Sequence, residues 1–481
     1  MPPTTLLSCR AKTYVTAAAT TMVLTMLATY HFCVHQQQCP VLPKLPTISN
    51  TFDNAPGNYL SRFVISHVAL AMALIQWVIW NPLSTQKCQK LTLGLGIFAC
   101  VCFSFVGAIC DDNTNPQCMG NNKIHSISAV TFFVLYNINM IILSCHKKKS
   151  MTSRCHHNAM LLLTIISTLT KVRFILPSVV PHGSIFATNV GDQTPLAVFE
   201  WTDTFTIIGW TVFYITKNRS NFYLQLRVED STTTTTDKLA VRFSLNNIAW
   251  AVLLLSTFTF TSCYYFLNKA GRIPKGSWPY ISDMFVHPPG NWISRWTLVF
   301  GSTLSGFTQV CLYYLDGKTT MGDKMLTIVS LISVLGLSGV GCINEKENHT
   351  LHIICAGTFF IGYDLFMILR TLRQTISKWN IFTACLGMMS CVLTWLRFST
   401  SGHQFLINHV STSERVGAFL GPVLEWCDAI LIINYLAFSI FAHGKTNVQN
   451  YGLVIVSDET GDVEDVLAVP LTKSVNYSQL I

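Results

Sequence analysis

"PTISNTFDNAPGNYLSRF" occupies Pro46–Phe63, and "PYISDMFVHPPGNWISRW" occupies Pro279–Trp296, 233 positions later and without a gap. Pro, Ile, Ser, Phe, Pro, Gly, Asn, Ser and Arg stand at the same places in both. Further matched blocks follow in the same order. "IHSISAVTFFVLYNINM" (Ile124–Met140) matches "LHIICAGTFFIGYDLFM" (Leu351–Met367) at an offset of 227. "LTKVRF" (Leu169–Phe174) matches "LTWLRF" (Leu393–Phe398) at 224, and "VFEWTD" (Val198–Asp203) matches "VLEWCD" (Val423–Asp428) at 225. Ordered blocks whose small drifts are absorbed by loops mark a tandem duplication.

The chain of 481 residues is 50% hydrophobic and only 11% charged, against roughly 25% charged in soluble domains. Mean hydropathy is +0.41. This is a membrane composition, and it contains twelve apolar stretches near twenty residues long, enough to cross a hydrocarbon core of roughly 30 Å. They fall at 13–33, 60–80, 91–110, 125–145, 158–178, 196–216, 242–267, 292–315, 323–343, 351–371, 379–399 and 417–442. Each is expected to be a helix, because lipid offers no partner to bare backbone groups. The expected fold is therefore all-α and polytopic, with twelve transmembrane helices in two parallel six-helix repeats. The repeats span 1–230 and 231–446, and a disordered acidic tail spans 447–481. The first stretch has no small-residue cleavage site and reads as a retained span.

Basic residues set the topology. Arg10 and Lys12, Lys87 and Lys90, "HKKKSMTSR" (His146–Arg154), Lys217 to Arg242, and Arg370 to Lys378 alternate onto one side, read as cytosolic. Lys269, Arg272 and Lys275 are exceptions. Both termini are then cytosolic. The net charge of +9 flanks apolar runs and forms no basic soluble face, which argues against a nucleic-acid partner. Cys33/Cys39 and Cys110/Cys118 lie in polar loops and would pair in an oxidising lumen. The second copy lacks equivalents, so free thiols remain the alternative. "SRCHHN" has no second Cys/His pair nearby, and no metal site or cofactor motif is expected.

The matched polar residues are the candidate site. Arg62, His125, Arg173, Glu200 and Asp203 in the first copy, and Arg295, His352, Arg397, Glu425 and Asp428 in the second, all fall in the lumenal half on this topology. An ionisable group in a span is costly unless it is paired or wet. Arg173 with Glu200 and Arg397 with Glu425 are the expected pairs. Glu200 and Asp203 are spaced i, i+3, which places both carboxylates on one face. The set reads as a pocket for a lipid headgroup, against the plainer reading of a structural salt bridge. Ser49, Asn50, Ser282 and Asp283 sit in the repeated loop just outside it.

Pro-x-Ile-Ser before span two, a His opening span four and Glu-Trp in span six resemble the Frag/DRAM/Sfk family of six-span membrane proteins. "GNYLSRF" and "GNWISRW" resemble its post-GPI-attachment-factor-two branch. The resemblance implies a Golgi or ER membrane protein acting in lipid remodelling of GPI anchors, with membrane lipids and GPI-anchor lipid as partners. It leaves open whether the chain is a catalyst or, as the lack of a legible catalytic motif favours, an accessory factor. "YGLV" (Tyr451–Val454) and "YSQL" (Tyr477–Leu480) fit a tyrosine sorting pattern. They point to sorting adaptors and to an endosomal, lysosomal or plasma-membrane alternative. A non-enzymatic regulator of autophagy or phosphoinositide signalling is the competing function, and a small-molecule transporter is a third.

Overall fold

The computed structural model describes residues 4–39, 44–80, 87–112, 120–145, 154–175, 194–218, 222–230, 240–273, 278–315, 320–373, 378–406, 414–444 and 449–457. The first repeat comprises α1 (Ala11–His35), the one-turn α2 (Ile48–Thr51), α3 (Gly57–Trp80), α4 (Lys87–Ala108), α5 (Asn122–Cys145), α6 (Arg154–Ile175) and α7 (Thr194–Asn218). The second repeats this order: α8 (Leu245–Lys269), the one-turn α9 (Ile281–Met284), α10 (Gly290–Leu315), α11 (Met321–Cys342), α12 (His349–Arg373), α13 (Lys378–Leu406) and α14 (Glu414–Gly444). Among the described residues, eight helices are long and apolar enough to cross a membrane: α1, α3, α4, α5, α8, α11, α12 and Gly421–Phe441 of α14. In α7 and α10, Ser, Thr and Gly dilute the apolar run.

Burial is inverted relative to a water-soluble bundle. Leu24, Ile127, Leu254, Met321 and Leu372 stand exposed, while Arg62, Gln76, Asp203 and Asp428 are inside. Large exposed apolar surface marks a membrane or partner face. A membrane protein of several apolar helices is the physical consequence.

Beside one end of the helices lies a four-stranded antiparallel sheet in the order β1-β2-β4-β3. Its strands are β1 (Thr4–Arg10), β2 (Phe222–Asp230), β3 (Ala240–Ser244) and β4 (Gln449–Ser457). Each leads into or out of a repeat, so β1 and β2 bracket the first and β3 and β4 the second. The central β2–β4 pairing runs from Phe222↔Ser457 to Asp230↔Gln449 and ties the repeats together. The disordered tail expected from 447 therefore needs correction over 449–457. "QNYGLVIVS" carries β-branched and aromatic residues suited to a strand, and β2 and β3 offer it two ladders. Tyr451–Val454 lies within this paired strand, whereas Tyr477 lies outside the described residues.

The repeats meet across α3, α4, α10 and α11 by reciprocal contacts. Arg62 Nη1 donates to the carbonyl of Cys342 at 2.8 Å, and Arg295 Nη1 donates to that of Ala108 at 3.3 Å. Such i-to-j and j-to-i exchange is the signature of a two-fold interface, here a pseudo-two-fold within one chain. Trp296 stacks on Phe105 with centroids 5.1 Å apart and donates from Nε1 to Ser104 at 2.8 Å.

Candidate functional site

The repeated phrase is a clamp. Trp201 Nε1 donates to the carbonyl of Pro46 at 2.9 Å, and Trp426 Nε1 donates to that of Pro279 at 3.0 Å. One residue earlier, Glu200 Oε2 accepts from the backbone N–H of Ile48 at 3.2 Å, and Glu425 Oε2 from that of Ile281 at 3.3 Å. Glu-Trp on the last long helix thus grips Pro-x-Ile-Ser from both sides. Gly57 follows because a Cβ there would lie 2.7 Å from the carbonyl of Thr51, and Gly290 faces Met284 in the same way. Thr47 Oγ1 accepts from the Asn50 N–H at 3.1 Å, and Asp283 accepts from the Tyr280 N–H at 3.1 Å. Asn50 and Asp283 therefore engage their own one-turn helices.

This clamp brings Ser49 into a polar cluster. Ser49 Oγ lies 3.1 Å from His125 Nε2 and 3.1 Å from Glu200 Oε1. His125 Nδ1 donates to the carbonyl of Ile109 at 2.5 Å, as His352 Nδ1 does to Ile343 at 2.7 Å. A carbonyl only accepts, so Nδ1 carries a proton, and in the neutral ring Nε2 presents its lone pair to Ser49. The ring is held by a fixed partner while its other nitrogen faces the hydroxyl.

Beneath the cluster, an apolar cavity runs between the helices and is lined by Ser49 and Glu200 at its polar end. Along α7 its wall runs from Glu200 to Val212, which at 1.5 Å per residue is ~18 Å deep. One leaflet of a hydrocarbon core is roughly 15 Å thick, so the cavity matches a leaflet. The second repeat holds a similar cavity lined by Ser282, His352 and Glu425 at the corresponding place. Ala129 and Ala356, paired in the repeat, line the respective walls.

The remaining candidates lie elsewhere. Asp203 is fully buried away from the Glu200 cluster and accepts from Ser167 of α6 at 2.7 Å. Asp428 likewise accepts from Ser390 and Thr394 of α13. The i, i+3 spacing therefore does not put both carboxylates into the cavity. The side chains of Arg173 and Arg397 lie outside those described. Glu200 takes Ile48 and Ser49 as partners, and Glu425 takes Ile281.

Arg62 and Arg295 turn to the pseudo-two-fold axis, not to the cavities. Both reach one carboxylate: Arg62 Nη1 to Glu347 Oε2 and Arg295 Nη2 to Glu347 Oε1, each 2.6 Å, with all three side chains 1% exposed. Repeat matching could not flag Glu347, because its counterpart at the offset of 227 is Gly120. In the sequence it looks like one more charge in the loop "NEKEN". Nearby, Asp53 accepts from the backbone N–H groups of Asp111 and Asp112 at 3.2 and 3.4 Å. Burial, with the charge of Asp111 adding, pushes its carboxyl up to about 7. At this same end Cys33 and Cys39 are disulfide-bonded. Cys110 is also disulfide-bonded, and Cys118, its expected mate, lies outside the described residues.

No curated protein and no solved structure matches this chain. One family matches twice, described as "Frag1/DRAM/Sfk1/Cwh43P N-terminal domain", over residues 10–216 and 244–442. These segments coincide with the two helical repeats. The chain belongs to the Frag1/DRAM/Sfk1 family, as a tandem duplicate of its domain.

Proposed function

We propose that this protein binds the acyl chain of a membrane lipid in each repeat, with the lipid's polar head at the Ser/His/Glu cluster. On this reading it serves lipid remodelling of GPI-anchored proteins. One observation carries the reading: a leaflet-deep apolar cavity is capped by Ser49 and Glu200, and the arrangement recurs with Ser282, His352 and Glu425. A mostly apolar cavity with a few convergent polar groups is the general form of a small-molecule site. The resemblance of "GNYLSRF" and "GNWISRW" to the post-GPI-attachment branch supports the choice of lipid class. An accessory role, holding lipid for a separate enzyme, is what binding alone requires.

The same reading makes all twelve long helices spans, with the sheet cytosolic and the clusters lumenal. Disulfides persist in oxidising compartments, so the Cys33–Cys39 bond at the cluster end supports that orientation and a Golgi or ER address. GPI anchors lie in the lumenal leaflet, where the clusters would then sit. The test is a photoactivatable phospholipid in membranes, together with GPI-anchor lipid analysis in cells lacking the protein. Crosslinks should map to the cavity walls and fall when Ala129→Phe and Ala356→Phe fill both cavities. Unchanged anchors in the deleted cells would remove the GPI role, and unchanged crosslinking in the filled variant would remove the cavity.

A second reading, a membrane regulator worked from its cytosolic face, draws on β4, which joins the tail to the inter-repeat segment. It predicts that deleting residues 449–481 abolishes function while filling the cavities does not.

A further inference from the structure

Resting on the lipid-binding reading, the geometry points to Ser49 as a covalent acyl acceptor, with Ser282 as its counterpart. We propose that each repeat carries a transient O-acyl-serine whose chain occupies the cavity beneath it.

The argument begins with protons. Ser49 Oγ has one hydrogen and two acceptors at 3.1 Å, His125 Nε2 and Glu200 Oε1. With a neutral imidazole and an ionised carboxylate, one of those contacts would hold no proton. The cluster is complete when it holds one more, either on Nε2 or on the Glu200 carboxyl. In the second arrangement the serine proton faces Nε2, and the carboxyl O–H faces the hydroxyl oxygen. That is a nucleophile with its base in hydrogen-bond reach, and a base oriented by a third group, the Ile109 carbonyl at 2.5 Å. The neutral carboxyl is an acid beside the place where a carbonyl oxygen would develop charge.

Position supplies the substrate. Ser49 lines the polar end of a cavity whose other walls are almost wholly apolar. A long-chain ester with its tail down the ~18 Å cavity places its carbonyl at the cap. Ser49 Oγ bonds to the ester carbonyl carbon as Nε2 takes the serine proton, and the Glu200 O–H hydrogen-bonds the developing oxyanion. The bond to the donor's alkoxy oxygen then breaks. That oxygen takes the proton from Nε2 and leaves as an alcohol, the lysolipid. In the second half a lipid hydroxyl gives its proton to Nε2 and attacks the acyl-serine carbonyl. Ser49 departs and recovers that proton. The net change is one ester exchanged for another, without water or redox partner. Among the described residues, none of α6 or α13 lines either cavity.

The test uses the full-length chain in cells fed an alkyne-tagged fatty acid. Protein is quenched in acid, denatured, cleared of cysteine thioesters with neutral hydroxylamine and read by peptide mass spectrometry. The expected result is a hydroxylamine-resistant acyl group on Ser49 or Ser282, lost in Ser49→Ala/Ser282→Ala. In Ser49→Cys/Ser282→Ala the adduct should become a hydroxylamine-sensitive thioester. A photoactivatable phospholipid, crosslinked in the same preparations, reads cavity occupancy independently. Crosslinking without any serine-borne acyl group overturns the inference and leaves lipid binding standing. Loss of both overturns the inference and the reading together. A resistant label that persists on the same peptides in the double alanine variant overturns the inference as well.

Discussion

Glu347→Gln is the substitution from which the architecture predicts the largest loss of stability. The carboxylate holds two guanidiniums at 2.6 Å each, and all three side chains are 1% exposed. Glutamine keeps the shape but removes the charge and turns one acceptor into a donor facing an arginine. Removing one partner of a buried charge pair costs about 3–5 kcal/mol, because the other charge stays buried without compensation. For a folding unit of some two hundred residues each kcal/mol is worth roughly 2–4 °C. A melting temperature lower by roughly 6–20 °C follows, read by fluorescence-detected size exclusion in detergent. Arg62→Met should cost less, because Glu347 keeps Arg295, although the bonds to Glu347, the Cys342 carbonyl and Cys110 Sγ are lost. The triple replacement Arg62→Met/Arg295→Met/Glu347→Leu should recover most of the loss, since apolar groups of similar volume often replace buried ion clusters at little cost. The order is the test. A Glu347→Gln variant that melts with the wild type, or above the triple variant, refutes the claim that this triad joins the repeats.

Other consequences concern the loops and the sheet. Gly57→Ala places a methyl 2.7 Å from the Thr51 carbonyl and should cost about 1–3 kcal/mol by overpacking, measured as a lower melting temperature. The control Gly209→Ala, which meets open space, should not. Asp53 titrates near 7 when folded, against 3.8 for its ordinary value. The folded state therefore binds more protons than the unfolded chain between about pH 4 and 7, and stability from this group falls as pH rises through that window. Asp53→Asn, which mimics the protonated form, should raise the melting temperature more at pH 8 than at pH 5. An equal gain at both would contradict the assignment. Val454→Pro removes a backbone donor from β4, which pairs with both Gln225 and Ala240, and strand interiors exclude proline for that reason. Halves expressed as separate chains, split within 231–239, should co-purify, and this substitution should weaken their association.

The repeat, the membrane character and the polar residues of the cluster were legible in the sequence, because duplication copies a whole packing scheme and keeps its spacing. Matched blocks picked out Ser49, His125 and Glu200 with their second-copy counterparts. Their arrangement around the helices was not legible. Helical spacing puts Glu200 and Asp203 on one face of α7, yet a face is wide enough for one to meet α2 and the other α6. Arg62 and Arg295 read as cavity residues because depth in the membrane is all that topology can give. Rotation about the helix axis turned them to the interface instead.

What the sequence determined alone is whatever depends on local pattern: helix length from apolar runs, duplication from offsets, and the recurrence of Pro-x-Ile-Ser and Glu-Trp in both copies. Only the tertiary structure decided the pairing of the two halves, through one acid shared by two arginines and through strands β2 and β4 more than two hundred residues apart. Glu347 has no repeat partner, and β4 looked like a tail. The physical reason is the same for both: an element on a two-fold axis, or in a sheet joining two copies, satisfies its charge or backbone against a distant segment. No local pattern records that segment.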